Sequence, residues 1–328
     1  MEDQTVLLDA ARGGDEHAFR DLLEPHQREL HVHCYRMTGS VHDADDVLQE
    51  VLLRAWRSLT KFEGRSSFRA WLYRIATNAC LTAVSSRSKR ALPTDFAAPP
   101  EDAGPVTESV WLEPYPDQLL PDASYEQREG VELAFVAALQ HLPANQRAAL
   151  ILREVLGFSA KEVADALGAT TAAVNSALQH ARKAVAERVP DRSQQATLRA
   201  LDDEKLRAIV ADYTRALERH DIDAIVSMLA EDATWSMPPL PQWYRGHEAI
   251  TAFLLRGPLT EGWRHIPTSA NGQLAVGCYM WDEERQAFVG QVIDVLTVRG
   301  TEIASITAFI DTELFPRFDL PKEFPGER

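Results

Sequence analysis

Apolar positions along the 328-residue chain follow two different periods. Up to about residue 190 they recur three and four residues apart, the spacing that lines one face of an α-helix. Val47, Val51 and Ala55 with Leu48, Leu52 and Leu59 form one stripe; Phe68, Leu72, Ile75 and Ala79 form another behind a Ser66-Ser67 cap. The loop Lys61 to Ser67 joins them. A second helical block spans residues 126–189, punctuated by Leu142-Pro143 and Gly157. Beyond a break at Val189 to Gln195, helices are expected near 203–219, 222–230 and 246–255. Alternating β-branched segments then predict strands near 264–270, 273–281, 286–298 and 301–310, joined by turns such as Asn271-Gly272, as in an antiparallel sheet.

Between the helical blocks, Ala91 to Tyr125 carries seven prolines, which deny it a long helix, so it reads as an extended linker. Its Trp111 to Asp117 piece is unusually apolar for a tether and suggests a local contact with another part of the chain or with a partner. The expected domains are therefore 1–90, 126–190 and 201–328, with a linker over 91–125. Cys34, Cys80 and Cys278 form no C-x-x-C pair, and neither a signal peptide nor a membrane span is readable, which points to the cytoplasm. No nucleotide-binding or H-E-x-x-H motif occurs, and no metal or cofactor is expected. His31-x-His33-Cys34 lacks a fourth ligand at zinc-finger spacing.

The net charge of −15 argues against nucleic acid only until it is divided along the chain. Residues 1–50 hold 12 acids against 4 bases, and residues 91–127 hold 8 acids and no base; residues 51–90 hold 9 bases and the single acid Glu63. In that basic stretch Arg and Lys interleave with aromatic residues, a mixture suited to single-stranded nucleic acid. Phe68 and Tyr73 suit a core, whereas Arg65, Trp71, Arg74 and Asn78 suit a binding face. Just before it, acids at a helix start are explained equally by the helix dipole and by docking of a basic partner. Farther on, Ser159-Ala-Lys-Glu162 reads as a capping box, Gly168 as a turn, and Thr170 or Thr171 as the cap of a second helix. That is the pattern of a helix-turn-helix.

The run DADDVLQEVLLRAWRSLTKFEGRSSFRAWLYRIATNACLTAVSSRSKR from Asp43 resembles region 2 of bacterial sigma-70 factors of the extracytoplasmic-function group. Leu142 to Val185 resembles their region 4. The resemblance implies two all-α domains and roles for matching residues. Asp45, Asp46, Gln49 and Glu50 would dock on the β′ clamp of core RNA polymerase, with the β flap as a further polymerase contact. Lys61, Phe62, Arg65, Ser66, Ser67, Trp71, Arg74 and Asn78 would open the promoter −10 element as single-stranded DNA. Thr171, Ala172, Asn175, Ser176, Gln179, Arg182 and Lys183 would read the −35 element as duplex, and the acidic linker would thread the RNA-exit path.

Residues 201–328 resemble a SnoaL-like domain, an α+β cone of the NTF2-like class. The segments that carry this are Ile209 to Asp221, Met228 to Met237 and Tyr244 to Ile250. The resemblance implies an apolar pocket, for which Trp235, Met237, Trp243, Tyr244, Phe253, Trp263 and Trp281 are candidate lining, with Asp294 or His265 as polar group. The whole reads as a non-enzymatic promoter-specificity subunit. Its fused C-terminal domain is expected to regulate it by intramolecular contact with the sigma domains, with or without a small ligand. The alternative is a ligand-binding or catalytic cone that the helical domains target to DNA.

Overall fold

The computed structural model describes residues 2–85, 89–97, 111–121 and 128–326. The chain divides into two compact units: Met1–Arg90 with Leu119–Val189, and Ala91–Gln118 with Pro190–Arg328.

The first unit is helical. Helices α1 (Glu2–Arg12), α2 (Glu16–Thr38), α3 (Val41–Ser58) and α4 (Phe68–Ser85) form a bundle whose boundaries are written in local chemistry. Asp15 caps α2 by accepting from the His17 and Ala18 N–H groups; Gly39, at φ 72°, ends it in a left-handed turn, and Ser40 caps α3 at once. The stripe Val47, Val51, Ala55 and Leu59 is buried, as are Phe68, Leu72 and Ala79 of α4. His33 lies in this core with Nε2 3.0 Å from Thr77 Oγ1, and burial lowers its pKa to about 3, so it is neutral at physiological pH. His31 instead meets Asp45 at 2.9 Å.

The second helical block follows the predicted punctuation: Leu133–Gln140, Ala144–Leu150 opened by Pro143, a π-helical turn over Ile151–Val155, then Ala160–Leu167 and Thr171–Ala186. It packs directly on the first four helices. Arg36, 2% exposed, donates from Nε to the Gly130 carbonyl at 2.9 Å. Arg147, 4% exposed, donates to the carbonyls of Met37, Gln140 and Leu142 and to the Gln140 amide oxygen. A Cβ at Gly130 would stand 2.8 Å from Val155 and 3.2 Å from the Arg36 guanidinium, so only glycine allows this approach.

The second unit is α+β. Its sheet runs β2-β1-β6-β5-β4-β3, with β1 (Leu229–Ser236), β2 (Trp243–Arg245), β3 (Trp263–Ala270), β4 (Gln273–Asp282), β5 (Ala287–Arg299) and β6 (Glu302–Ile310); β7 (Glu323–Pro325) pairs with β5. Helices Asp203–Glu218, Ile222–Met228 and Gly246–Arg256 supply one side of its core through Tyr213, Leu217, Ile225, Ile250 and Leu254. Strands β3 to β6 fall within a residue or so of the predicted segments. Two features differ. The expected helix 222–230 ends at Met228, and β1, unpredicted because Ala-Glu-Asp-Ala-Thr interrupts its alternation, pairs with β6 in parallel. The sheet is therefore mixed rather than wholly antiparallel.

The break before the C-terminal third contains a further short helix, Gln194–Arg199. The Gln194 side chain pairs with Val298 as a strand would, donating to its carbonyl at 3.0 Å and accepting from its N–H at 2.8 Å.

The proline-rich stretch also differs from a free tether where it belongs to the second unit, in residues 91–97 and 111–118; residues 119–121 belong to the first. Trp111, Leu112 and Tyr115 are buried in the second unit. Tyr115 exchanges hydrogen bonds with Asn271, its N–H to the side-chain oxygen and its carbonyl to the backbone N–H, both at 2.8 Å. Asp117 accepts from the Gly272 N–H at 2.8 Å, and the Trp243 indole donates to the Phe96 carbonyl at 3.1 Å. Three large apolar side chains explain this docking, as the apolar Trp111 to Asp117 piece suggests. The rest of the expected linker, 98–110 and 122–125, lies outside the described residues.

Tyr115→Ala is expected to lower the unfolding free energy of the second unit by about 3 kcal/mol, the usual scale for truncating a buried aromatic residue. Urea titration followed by fluorescence measures it. A change below about 0.5 kcal/mol, typical of exposed positions, would show that the stretch is loosely held.

Candidate nucleic-acid interface

The expected docking acids lie on one stretch of α3 in unequal states. Asp46 and Gln49 are exposed; Asp45 is engaged by His31, and Glu50 meets Arg54 at 2.6 Å. Leu53, 49% exposed, follows Gln49 by four residues and Glu50 by three, which places it on the same helix face. An apolar side chain beside Gln49 and Glu50, with Asp46 one turn further back, suits a protein partner. Helical spacing could have found Leu53, which the sequence reading did not single out. The neighbouring Asp43 is committed elsewhere, buried against Arg90 at 2.8 Å.

The loop before α4 is built on an aromatic cluster. Phe62, Phe68 and Trp71 stand with ring centroids 5.1–5.8 Å apart, and all three are buried. Phe62 and Trp71, expected at the binding face, are thus core residues that shape the loop, because three large rings at this spacing bury each other before they meet solvent. Gly64 takes φ 72° at the loop's tip, and Ser67 caps α4 by accepting from the Ala70 N–H at 3.1 Å. Ser66 and Arg65 are exposed, Arg65 pairing with Glu63 at 2.9 Å.

Beside this loop Arg54, Arg57, Ser58, Lys61, Arg74 and Asn78 line an open groove with about 780 Å³ of empty space, its mouth included. Arg57, Lys61 and Arg74 are exposed and take part in no ion pair among the described residues. Unneutralised cations on one groove are what a phosphate backbone requires, since each displaces condensed counterions. The sequence reading found Lys61, Arg74 and Asn78 but not Arg54, Arg57 and Ser58, which precede the loop and fold back to it through the end of α3. Asn78 is shared: its side-chain amide donates to the Arg74 carbonyl at 2.8 Å and to the Ala166 carbonyl at 3.3 Å.

The helix-turn-helix forms as its sequence predicts. Ser159 and Glu162 cap each other, Gly168 turns at φ 62°, and Thr170 rather than Thr171 caps the second helix by accepting from the Ala173 N–H. The caps and dipole hold the Glu162 carboxyl below its usual range, through hydrogen bonds from the Ser159 backbone and hydroxyl. Val174, Leu178 and Ala181 point inward, leaving Thr171, Ala172, Asn175, Ser176, Gln179 and Lys183 exposed. Arg182 is exposed but paired with Glu154 at 2.6 Å.

In the second unit, Trp235, Met237, Phe253, Trp263 and Asp294 line one cavity, together with His265. Trp243 and Tyr244 lie outside it. Trp243 carries the Phe96 hydrogen bond, and Tyr244 stacks on Phe253 at 4.5 Å, because β2 is an edge strand beside the docked linker. Trp281 packs on Phe288 instead. The cavity brings in Cys278, which spacing alone did not single out, and Tyr213 stands behind Asp294.

Comparisons with known proteins follow the same division. Residues 22–90 match the sigma-70 region 2 family, residues 132–185 match sigma-70 region 4, and residues 210–306 match the SnoaL-like domain. The chain is 44% identical over 321 residues to the ECF RNA polymerase sigma factor SigG of Mycobacterium tuberculosis, covering 94% of this chain and 85% of that one. It is 29% identical over 178 residues to the ECF sigma factor SigW of Bacillus subtilis, covering 54% of this chain and 92% of that shorter one. The crystal structure of the M. tuberculosis sigma factor SigJ superposes with a TM-score of 0.61 at 23% identity, covering 92% of this chain and 99% of that one; the likeness is one of fold.

Arg57→Ala, Lys61→Ala and Arg74→Ala are each expected to weaken binding of a single-stranded oligonucleotide and to reduce the slope of log K against log salt by about 0.7. Fluorescence anisotropy across a salt series reads both. An unchanged slope in all three would remove the groove from the interface.

Proposed function

The chain belongs to the extracytoplasmic-function RNA polymerase sigma factors that carry a SnoaL-like domain, and from that premise we propose how its parts divide the work of transcription initiation. Sigma factors bind core RNA polymerase and promoter DNA. In this chain the α3 face of Asp46, Gln49, Glu50 and Leu53 docks on the β′ clamp, and the region 4 block meets the β flap. The groove of Arg57, Lys61 and Arg74 tracks the displaced strand at −10, with Arg65 and Ser66 at the tip of the neighbouring loop. The helix Thr171–Ala186 enters the −35 major groove, its exposed Thr171, Asn175, Ser176 and Gln179 facing base edges and Lys183 the backbone. The protein works in the cytoplasm, where polymerase and chromosome are found.

The observation that carries this reading is the pairing, on one helical bundle, of an acidic leucine-centred face with a groove of free cations. Phe62 and Trp71 act by holding the loop in place rather than by touching DNA.

Both DNA-reading blocks belong to one closed unit of about 160 residues. A body of that size has a radius of gyration of ~15 Å. Elements centred near −35 and −10 lie ~85 Å apart at ~3.4 Å per base pair. The two blocks therefore separate when both elements are bound, and the 91–125 stretch that joins them sets their reach. Since residues 91–97 and 111–118 of it are fastened to the C-terminal unit, that unit regulates the factor by holding or releasing the connection. No chemistry is assigned to the cone in this reading.

Run-off transcription with core polymerase tests the division. Asp46→Arg is expected to lose core binding at least tenfold while keeping its affinity for single-stranded DNA. Releasing the stretch with Trp111→Ala is expected to change transcript yield several-fold at equal core binding. Wild-type core binding by Asp46→Arg would contradict the docking face, and unchanged yield from Trp111→Ala would contradict the regulatory part.

A further inference from the structure

Residues 63–67 are all exposed, and they hang between two buried rings, Phe62 and Phe68, whose centroids stand 5.8 Å apart. At the tip nothing packs: a Cβ built on Gly64 would meet no atom within 4 Å. The position of this loop is therefore set at its two ends. At the far end Ser67 caps α4. At the near end the turn Leu59–Lys61 hands over to Phe62, whose N–H donates to the Leu59 carbonyl at 3.0 Å and whose own carbonyl lies past the end of the helical ladder.

That carbonyl is held from outside the loop. Arg12, the last residue of α1, donates to it from Nη2, and the same guanidinium lies over the Phe62 ring, 5.8 Å from its centroid. A cation at the carbonyl end of a helix and over an aromatic face is favoured on both counts. The backbone at Arg12 is itself fixed from both sides. The Gly13 N–H bonds to the Asp9 carbonyl at 3.1 Å, the Asp15 N–H returns to the Ala10 carbonyl at 3.2 Å, and Asp15 at once caps α2. Arg12 Nη1 meets Asp9 at 3.3 Å, and its Nε is buried with no partner among the described residues. A guanidinium free to swing outward would hydrate that nitrogen; here it is kept against the base of the loop. Arg12 precedes residues 22–90, the stretch that matches sigma-70 region 2.

We propose that Arg12 is a positioning residue for strand capture: by holding Phe62 it presets the exposed loop 63–67 beside the groove of Arg57, Lys61 and Arg74, and it makes no phosphate contact of its own. The first helix thereby takes part in DNA reading through a single side chain. Without it Phe62 keeps its packing on Phe68 and Trp71, but its carbonyl and the turn that carries Lys61 are free to shift. The strand must then order the loop as it binds, which lowers affinity. The inference rests on the reading of this groove and loop as the single-strand site and adds the residue that sets them.

Two measurements on the full chain test it. Spin labels at Ser66→Cys in the loop and Thr82→Cys on α4 are read by pulsed dipolar spectroscopy without DNA, the three native cysteines being buried. The expected result is one narrow distance of about 20–30 Å, from ~1.5 Å per helical residue. Arg12→Ala broadens it, and Arg12→Lys, which keeps a cation and a donor, restores it. In unlabelled chains, fluorescence anisotropy with a mixed-sequence single-stranded oligonucleotide is expected to show binding weakened about threefold to tenfold by Arg12→Ala, the cost of ordering one or two side chains. The slope of log K against log salt stays as in the wild type. An unaltered distance distribution in Arg12→Ala, equal broadening in Arg12→Lys, or wild-type affinity in Arg12→Ala would overturn the proposal. So would a slope lowered by about 0.7, the signature of a lost phosphate contact. Failure of the groove reading shows separately, as binding that Arg57→Ala, Lys61→Ala and Arg74→Ala leave unaltered, while the distance distribution still decides whether Arg12 sets the loop.

Discussion

Two buried guanidinium groups hold the helical unit closed. Arg36 and Arg147 cross from one helical block to the other and are met by backbone carbonyls and a side-chain amide, and the first four helices and the helix-turn-helix are positioned by that joint. Among the described residues no carboxylate pairs with Arg147, and burial lowers its pKa to about 10, which leaves it charged at neutral pH. Removing a charge from water costs several kcal/mol, and each hydrogen bond from it returns about 1.5–3 kcal/mol. The opposed terms leave a joint that is specific in geometry and modest in net strength. Because the carbonyls and amide that Arg147 meets are neutral, its part of the joint is less sensitive to salt than the surface ion pairs around it.

Other contacts across the joint involve α4, and one of them uses Asn78 of the proposed groove. Arg69 lies over the rings of Tyr73 and Phe158 at 4.9 and 5.0 Å and meets Glu29 at 3.1 Å, while Asn78 bonds to Ala166. The closed unit thus occupies part of α4, and in the proposed division of work opening it frees that surface and lets the two blocks move apart. A net charge of −15 is compatible with nucleic-acid binding in such a design. The acids lie largely in residues 1–50, the connecting stretch and the C-terminal unit, whereas Arg57, Lys61 and Arg74, in no ion pair among the described residues, are gathered in one groove.

How much of this was legible in the sequence depended on the range of the interactions. Capping and turn chemistry acts within four residues, so Ser159-Glu162, Gly168 and the strands after Trp263 were readable nearly to the residue. The fate of Trp71 and Phe62 was not, because whether an aromatic ring is core or surface depends on Phe68 folding onto both. Arg54 and Arg57 were missed for the same reason: only the turn at Leu59 brings them beside Arg74. The connecting stretch was legible in part: the apolar Trp111 to Asp117 piece announced a local contact, but its prolines and acids gave no hint that Asn271 and Gly272 would be the partners. Strand β1 was hidden by burial on both sides of its polar centre. Asp294 was visible as a candidate, but the Tyr213 and Cys278 contacts that define it come from 81 and 16 residues away.

The central claim is that the helical unit is closed when free and opens on the promoter. Spin labels at Thr82→Cys on α4 and Asp165→Cys on the helix Ala160–Leu167, both exposed positions, report it by pulsed dipolar spectroscopy. The account predicts one short distance in the free protein, replaced by one tens of ångströms longer in the complex with core polymerase and promoter DNA. The same short distance in that complex, with transcription intact, would contradict it.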